Sequence, residues 1–244
     1  MKRILFLLAI VMIASASAFS QKTYTLITAI SNYDQRIRPE CPDLPMTTDA
    51  AKRLQPVLKK QSSKVAVLTG KHATHDNILA KLRGICAKAG KNDRVIFYYG
   101  GHGGAEGCLS AYDKNVYYTE LVKIFSKCKA KYVICFFDAC YSGSSKRSAS
   151  QFDWTQSRIP GLILFTSSRA NEASIGSSVN NAGYFTNALI NGLRGQSDKN
   201  HDRNVTALEL FTFIHGDVKQ RSGSSQNPQL ITNKENRNVI IARW

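Results

Sequence analysis

The sequence is short of acidic residues: 17 Asp and Glu stand against 33 Lys and Arg, a net charge of +16 over 244 residues. Such an excess attracts an acidic partner, whether nucleic acid, anionic lipid or a surface polymer, and carries no information about fold. The features that would make the partner a nucleic acid are missing. Basic residues come in pairs at most, and no aromatic-studded basic segment or finger spacing occurs, so no specific nucleic-acid partner is expected. Among the six cysteines (Cys41, Cys86, Cys108, Cys128, Cys135 and Cys140) there is no Cys-x-x-Cys pair. Zinc-ribbon and thioredoxin-type redox readings therefore lack their spacing. Past the first twenty residues no apolar run approaches the roughly 20 residues that cross a bilayer, so no stable membrane anchor is expected. What is present is ordinary. A hydrophobic share of 43% with 20% charged residues suits a chain that buries a core, and excludes a disordered tail or a small disulfide-stapled scaffold.

The N-terminus has its own pattern. Lys2 and Arg3 precede an apolar run, Ile4 to Ile13, and a small-residue stretch, Ala14 to Ala18. That order is a secretory signal peptide over residues 1–20, with cleavage after Ala18 or Ser20 and no junction cysteine to carry a lipid. The expected protein is exported, periplasmic or secreted, and its charge falls to +14 as Lys2 and Arg3 leave. Six cysteines in an exported chain permit three bridges. If one of them must stay reactive, the other five cannot all pair.

The remainder, 21–244, alternates two periods. Thr23–Ile30, Lys64–Leu68, Arg94–Tyr99, Tyr132–Phe137 and Leu162–Thr166 are short continuous apolar or β-branched runs, the pattern of strands buried on both faces. Between and after them lie helical stripes. Ala50, Ala51, Leu54, Val57 and Leu58 share one face, where Pro56 is expected to kink or shorten the helix. Ile78, Leu79, Leu82, Ile85 and Cys86 form a second stripe behind a candidate cap, Thr74. Phe185, Ala188, Leu189 and Leu193 form a third; Leu210, Phe211, Ile214 and Val218 a fourth. The expectation is a single α/β domain with a mainly parallel central sheet flanked by helices.

Two of these runs end in reactive side chains. One leaves as Gly100-Gly101-His102-Gly103-Gly104, the next as Asp138-Ala139-Cys140-Tyr141-Ser142-Gly143. Ligands of open α/β sheets bind beyond the carboxyl ends of strands. A thiol beside an imidazole can lose its proton and attack a carbonyl carbon, and the imidazole can then protonate the leaving amine. Neighbouring glycines let backbone N–H groups reach a developing oxyanion. Each motif alone is also what a turn or a small core residue looks like; the matched pair on consecutive strands points to catalysis.

Those blocks, YYGGHG and FFDACYSG, resemble the histidine and cysteine blocks of the caspase-like cysteine peptidases, nearest the metacaspase branch. The resemblance runs along most of the chain, through Ile30–Tyr33, Asp49-Ala50, Gly183–Thr186 and Gln226–Gln229. It implies a caspase-like sandwich with His102 as general acid and base and Cys140 as nucleophile. It also implies oxyanion donors at the Gly103 and Cys140 amides and a protein or peptide substrate. It further implies that Asp138, two positions before the nucleophile and so on the same side of its strand, selects Arg or Lys before the cut by charge-assisted pairing. Asp138 as a turn residue is the other reading. The stretch Glu172–Gly176 resembles a block that often ends in a second acidic residue, and Gly176 cannot supply one.

Two further features stay open on sequence alone. Lys146, Arg147 and Arg158 lie in the Ser-rich stretch after the nucleophile, either as self-cleavage sites or as a solvated basic loop. Asp198, Asn200, Asp202, Asn204, Thr206 and Glu209 carry the spacing of a calcium loop, although Arg203 stands where glycine is usual. Thr206 to Glu209 is equally a helix capping box. The chemistry itself requires no cofactor. The leading expectation is an exported cysteine endopeptidase working through a thioester. The rival is a weak or inactive binding or signalling module whose basic surface meets polyanions.

Overall fold

A computed structural model describes residues 21–104, 106–139, 152–168, 176–177 and 182–244. The signal-like segment 1–20, the nucleophile candidate Cys140, and Lys146 and Arg147 lie outside the described residues.

In chain order the elements are β1 (Thr23–Ala29), α1 (Thr47–Lys60), β2 (Lys64–Thr69), α2 (His75–Lys88) and β3 (Arg94–Gly100). Three short strands follow, β4 (Gly103–Gly104), β5 (Cys108–Ser110) and β6 (Asn115–Tyr117), then α3 (Tyr118–Phe125) and β7 (Tyr132–Asp138). The chain continues through β8 (Leu162–Thr166), β9 (Gly176–Ser177), β10 (Ala182–Gly183) and α4 (Tyr184–Asn191). It closes with β11 (Asn204–Thr206), α5 (Ala207–Arg221), β12 (Gln229–Thr232) and β13 (Ile240–Arg243). The central sheet has six strands in the order β12-β8-β7-β3-β1-β2. All pairs are parallel except β12 with β8. The expected α/β domain with a mainly parallel sheet is thus observed.

The continuous apolar runs have a direct cause. Val95, Phe97 and Tyr99 of β3 and Val133, Cys135 and Phe137 of β7 face α2 and α3 in one core. Ile96, Tyr98, Ile134 and Phe136, the residues between them, face α1, α4 and α5 in a second core. Alternate side chains point to opposite faces, so a strand covered on both sides must be apolar at every position. Phe136 and Phe137 are neighbours in sequence, fully buried in different cores. Truncating either to Ala would cost about 3–5 kcal/mol.

Pro56 neither ends α1 nor stops its apolar face: the helix runs four residues further, to Lys60, with Val57 and Leu58 buried. The proline sits on the solvent side, where water can satisfy the carbonyl its missing N–H leaves free. Thr74 caps α2 as expected, its hydroxyl accepting the Asn77 N–H at 3.3 Å. No helix among the described residues is long and apolar enough to cross a membrane.

Candidate active site

The parallel register of β3 and β7 sets Gly100 beside Asp138. Their exits are tied by a hydrogen bond from Gly101 N–H to the Asp138 carbonyl, 3.1 Å. His102 therefore stands two residues beyond one strand end, and position 140 two residues beyond its neighbour. Cys140 itself lies outside the described residues.

His102 is half-buried and held at three points. Its backbone N–H donates to the Tyr33 hydroxyl at 2.9 Å, and the Tyr33 ring lies 5.2 Å from the imidazole, centroid to centroid. Its carbonyl accepts from the Tyr99 hydroxyl at 2.7 Å. Its Nε2 lies 2.7 Å from the Pro42 carbonyl oxygen. A carbonyl only accepts, so Nε2 carries the hydrogen and Nδ1 carries the lone pair. In that tautomer one ring nitrogen is anchored on the backbone. Gly101 is required here by space: a Cβ would stand 2.5 Å from the Tyr99 hydroxyl and 2.8 Å from that of Tyr33. Burial pushes Tyr33 up to about 12, so its hydroxyl stays protonated.

Asp138 has a different seat. Its Oδ2 accepts from the Thr186 hydroxyl at 2.5 Å. That hydroxyl lies 2.8 Å from the buried Tyr98 hydroxyl. Because Thr186 spends its hydrogen on Asp138, Tyr98 is the donor, and the three groups form a chain ending on the carboxylate. Burial pushes the Asp138 carboxyl up to about 6, with the Thr186 hydrogen bonds pulling it back in part. Gly183 closes the pocket, since a Cβ there would lie 3.1 Å from Oδ2.

Ser167, fully buried just past β8, grips the strand exit leading to position 140. Its hydroxyl accepts from Ala139 N–H at 3.2 Å and lies 2.9 Å from the Ala139 carbonyl. Gln226 donates to the Ser167 carbonyl at 2.7 Å. Gly103 pairs with Leu109 across β4 and β5, and the Ser110 N–H bonds the His102 carbonyl at 2.9 Å. That bond flanks a non-hydrogen-bonded pair, so the Gly103 N–H points away from β5.

A family model described as the caspase domain matches residues 22–240. The chain belongs to the caspase domain family. Members of that family are cysteine peptidases. A solved structure of a protein from Geobacter sulfurreducens is similar at 16% identity and a TM-score of 0.69, covering 90% of this chain and 98% of the other. Caspase-1 from Spodoptera frugiperda is similar at 18% identity and a TM-score of 0.68, covering 87% and 89%. No curated protein matches the sequence.

In this caspase domain the remaining sequence candidates lie apart from the strand ends. Arg158 is exposed in left-handed backbone, φ 53°. Cys41, Cys86, Cys108, Cys128 and Cys135 are buried free thiols; burial raises the Cys41, Cys108 and Cys135 thiols, and Cys86 is raised first by its hydrogen bond with Cys128 and then by burial. The 198–209 loop joins the end of the α4 segment to α5. Glu209 is turned onto Thr206 in a capping box, and no group of three His, Cys, Asp or Glu among the described residues is placed to hold a metal ion. Sequence reasoning assigned no role to Tyr33, Pro42, Ser167 or Thr186. Tyr33 and Ser167 follow the ends of β1 and β8, so extending the strand-end rule from two strands to four finds them.

Proposed function

We propose that this caspase domain is an exported cysteine endopeptidase of the metacaspase type that cuts after Arg or Lys. The observation that supports the proposal is the β3–β7 register, which pairs Gly100 with Asp138, two positions before His102 and Cys140 in the sequence. The Cys140 thiol gives its proton to His102 Nδ1, and the sulfur attacks the scissile carbonyl carbon. The Gly103 and Cys140 amides receive the oxyanion. Collapse breaks the C–N bond as His102 returns the proton to the leaving amine, leaving a thioester. Water, deprotonated by His102, then attacks the thioester carbon. The C–S bond breaks, the carboxylate product leaves, and the thiol is restored.

At neutral pH the Asp138 carboxyl, at about 6, is mostly ionised and faces a guanidinium or ammonium. The same preference makes Lys146, Arg147 and Arg158 candidate self-cleavage positions. The deciding experiment is a panel of fluorogenic peptides ending in Arg, Lys, Asp or a neutral residue, run on wild type and Cys140→Ala. Turnover of Arg and Lys peptides, lost in Cys140→Ala, supports the reading. A wild type inert on the whole panel, binding polyanions instead, replaces it with the binding-module reading. N-terminal sequencing of exported material, beginning at Phe19 or Gln21, tests the signal peptide.

A further inference from the structure

We infer that the loop 198–209 is a calcium site, independent of the peptidase reading. Its spacing supplies oxygen at the first, third, fifth, ninth and twelfth positions through Asp198, Asn200, Asp202, Thr206 and Glu209, and every residue supplies a carbonyl at the seventh, here Asn204. Spacing alone would be weak. The observation that points to a ligand is Asp198. Its side chain is buried, with a relative exposure of 4%. Its Oδ2 accepts the Arg203 N–H at 2.9 Å, which turns the carboxylate into the loop, and the Trp244 indole N–H at 3.1 Å. Its Oδ1 is buried with no hydrogen-bond partner. A buried carboxylate oxygen without a donor is costly, and a hard cation held by the loop removes that cost.

The rest of the loop agrees with that reading. Arg203 adopts the left-handed backbone, φ 64°, that the sixth position needs, so the absence of glycine there has not changed the turn. The Asp202 Oδ1 accepts the Asn204 N–H at 2.7 Å, which holds that carboxylate within the loop. Val205, at the eighth position, is fully buried where β11 pairs with β13, which anchors the far side of the loop. Carboxylate, amide and carbonyl oxygens together suit calcium better than softer metals. As they stand, Asp198, Asp202 and Glu209 are not grouped to hold a metal ion, so the Asn200 amide must leave Asp202 Oδ2, 3.1 Å away, and Glu209 must move. One of its oxygens, Oε2, accepts from the Thr206 N–H at 3.0 Å and the Thr206 hydroxyl at 2.7 Å. Binding has to draw that carboxylate off the capping contact, while the Thr206 hydroxyl keeps the Glu209 N–H at 3.2 Å. A site that gives up such a contact belongs to the weak class, with Kd on the order of 10⁻⁴–10⁻³ M.

Trp244 makes the site measurable without reference to activity, because its indole touches Asp198. Full-length protein is titrated with terbium, exciting the indole. Sensitised emission should appear, be lost in Trp244→Phe, and be displaced by calcium but not by equal magnesium. Calcium at roughly ten times Kd should raise Tm over chelator by about 3–5 °C. Glu209→Gln retains the capping box and should weaken calcium binding at least about 10-fold; Asp198→Asn should abolish it. If Asp198→Asn does not fold, Glu209→Gln and Asp202→Asn carry the test. Absence of sensitised emission and of a calcium-dependent Tm overturns the inference. So does calcium affinity unchanged in Glu209→Gln and Asp202→Asn, which would leave Glu209 a capping residue alone.

Discussion

His102 lies two residues past the end of β3 and Asp138 closes the neighbouring β7, yet they are seated in opposite ways. His102 is held through its backbone by two tyrosines and through Nε2 by a carbonyl, with no hydrogen-bond partner for Nδ1 among the described residues. Asp138 is held through the carboxylate itself by Thr186 and Tyr98, in surroundings that resist its charge. A base works only if its lone pair is unspent, so the protein grips everything else. On the proposed reading a carboxylate that recognises a cation works best where water is scarce, and Asp138 is half-buried.

The comparison breaks most severely at the chemistry. Cys140→Ala and His102→Ala should each lower kcat on Arg peptides by about 10³-fold or more, measured by peptide hydrolysis, with the fold intact by circular dichroism. Asp138→Asn should come next, lowering kcat/KM for Arg and Lys peptides by about 10²-fold while sparing any residual turnover of neutral ones. Equal loss on both classes would place Asp138 in the scaffold rather than the pocket.

Acid should act on one seat through its charge. The Asp138 carboxyl titrates at about 6 in the folded protein, against 3.8 as its ordinary value. Preference for Arg over neutral peptides should therefore fall as pH drops through about 6. Stability runs the other way. A carboxyl whose folded pKa is raised binds its proton more tightly when folded, so its destabilising charge is fully present above 6 and relieved as pH falls from 6 towards 3.8. Asp138→Asn should raise unfolding free energy at pH 7.5 by about 1–3 kcal/mol and flatten that pH dependence, measured by urea denaturation.

Smaller changes sharpen the contrast. Thr186→Val removes the hydrogen bond that pulls the Asp138 carboxyl down, so the acid limb of the Arg-peptide profile should move to higher pH, with a loss of about 10-fold at neutral pH. Tyr33→Phe removes one bond to the His102 backbone and should cost about 1 kcal/mol of stability and a few-fold in kcat, with no shift in substrate preference.

Much of this arrangement was legible in the residues. Five runs became the five parallel strands, most clearly β3, β7 and β8, whose doubly covered positions leave little polar to blur the signal. His102 stood out only because a second reactive side chain, Cys140, follows the matching strand end; glycines beside a lone histidine also read as a turn. The sixth strand, Gln229–Thr232, went unread: it is a short edge strand, half-exposed throughout, and its pairing with β8 is a long-range event. Pro56 did not shorten its helix for a related reason, since the cost of a proline depends on which face of the helix it occupies.

The sequence by itself determined the layers, the two strand exits and the residue types that can attack a carbonyl, because these follow from local periodicity and side-chain chemistry. Only the tertiary structure decided that Pro42 fixes the His102 tautomer, that Thr186 and Tyr98 serve Asp138, and that Ser167 clamps Ala139. Those partners lie 28 to 88 residues away in sequence. A proton's position and a carboxylate's charge are set by whatever the fold brings within about 3 Å, and no periodicity records that distance.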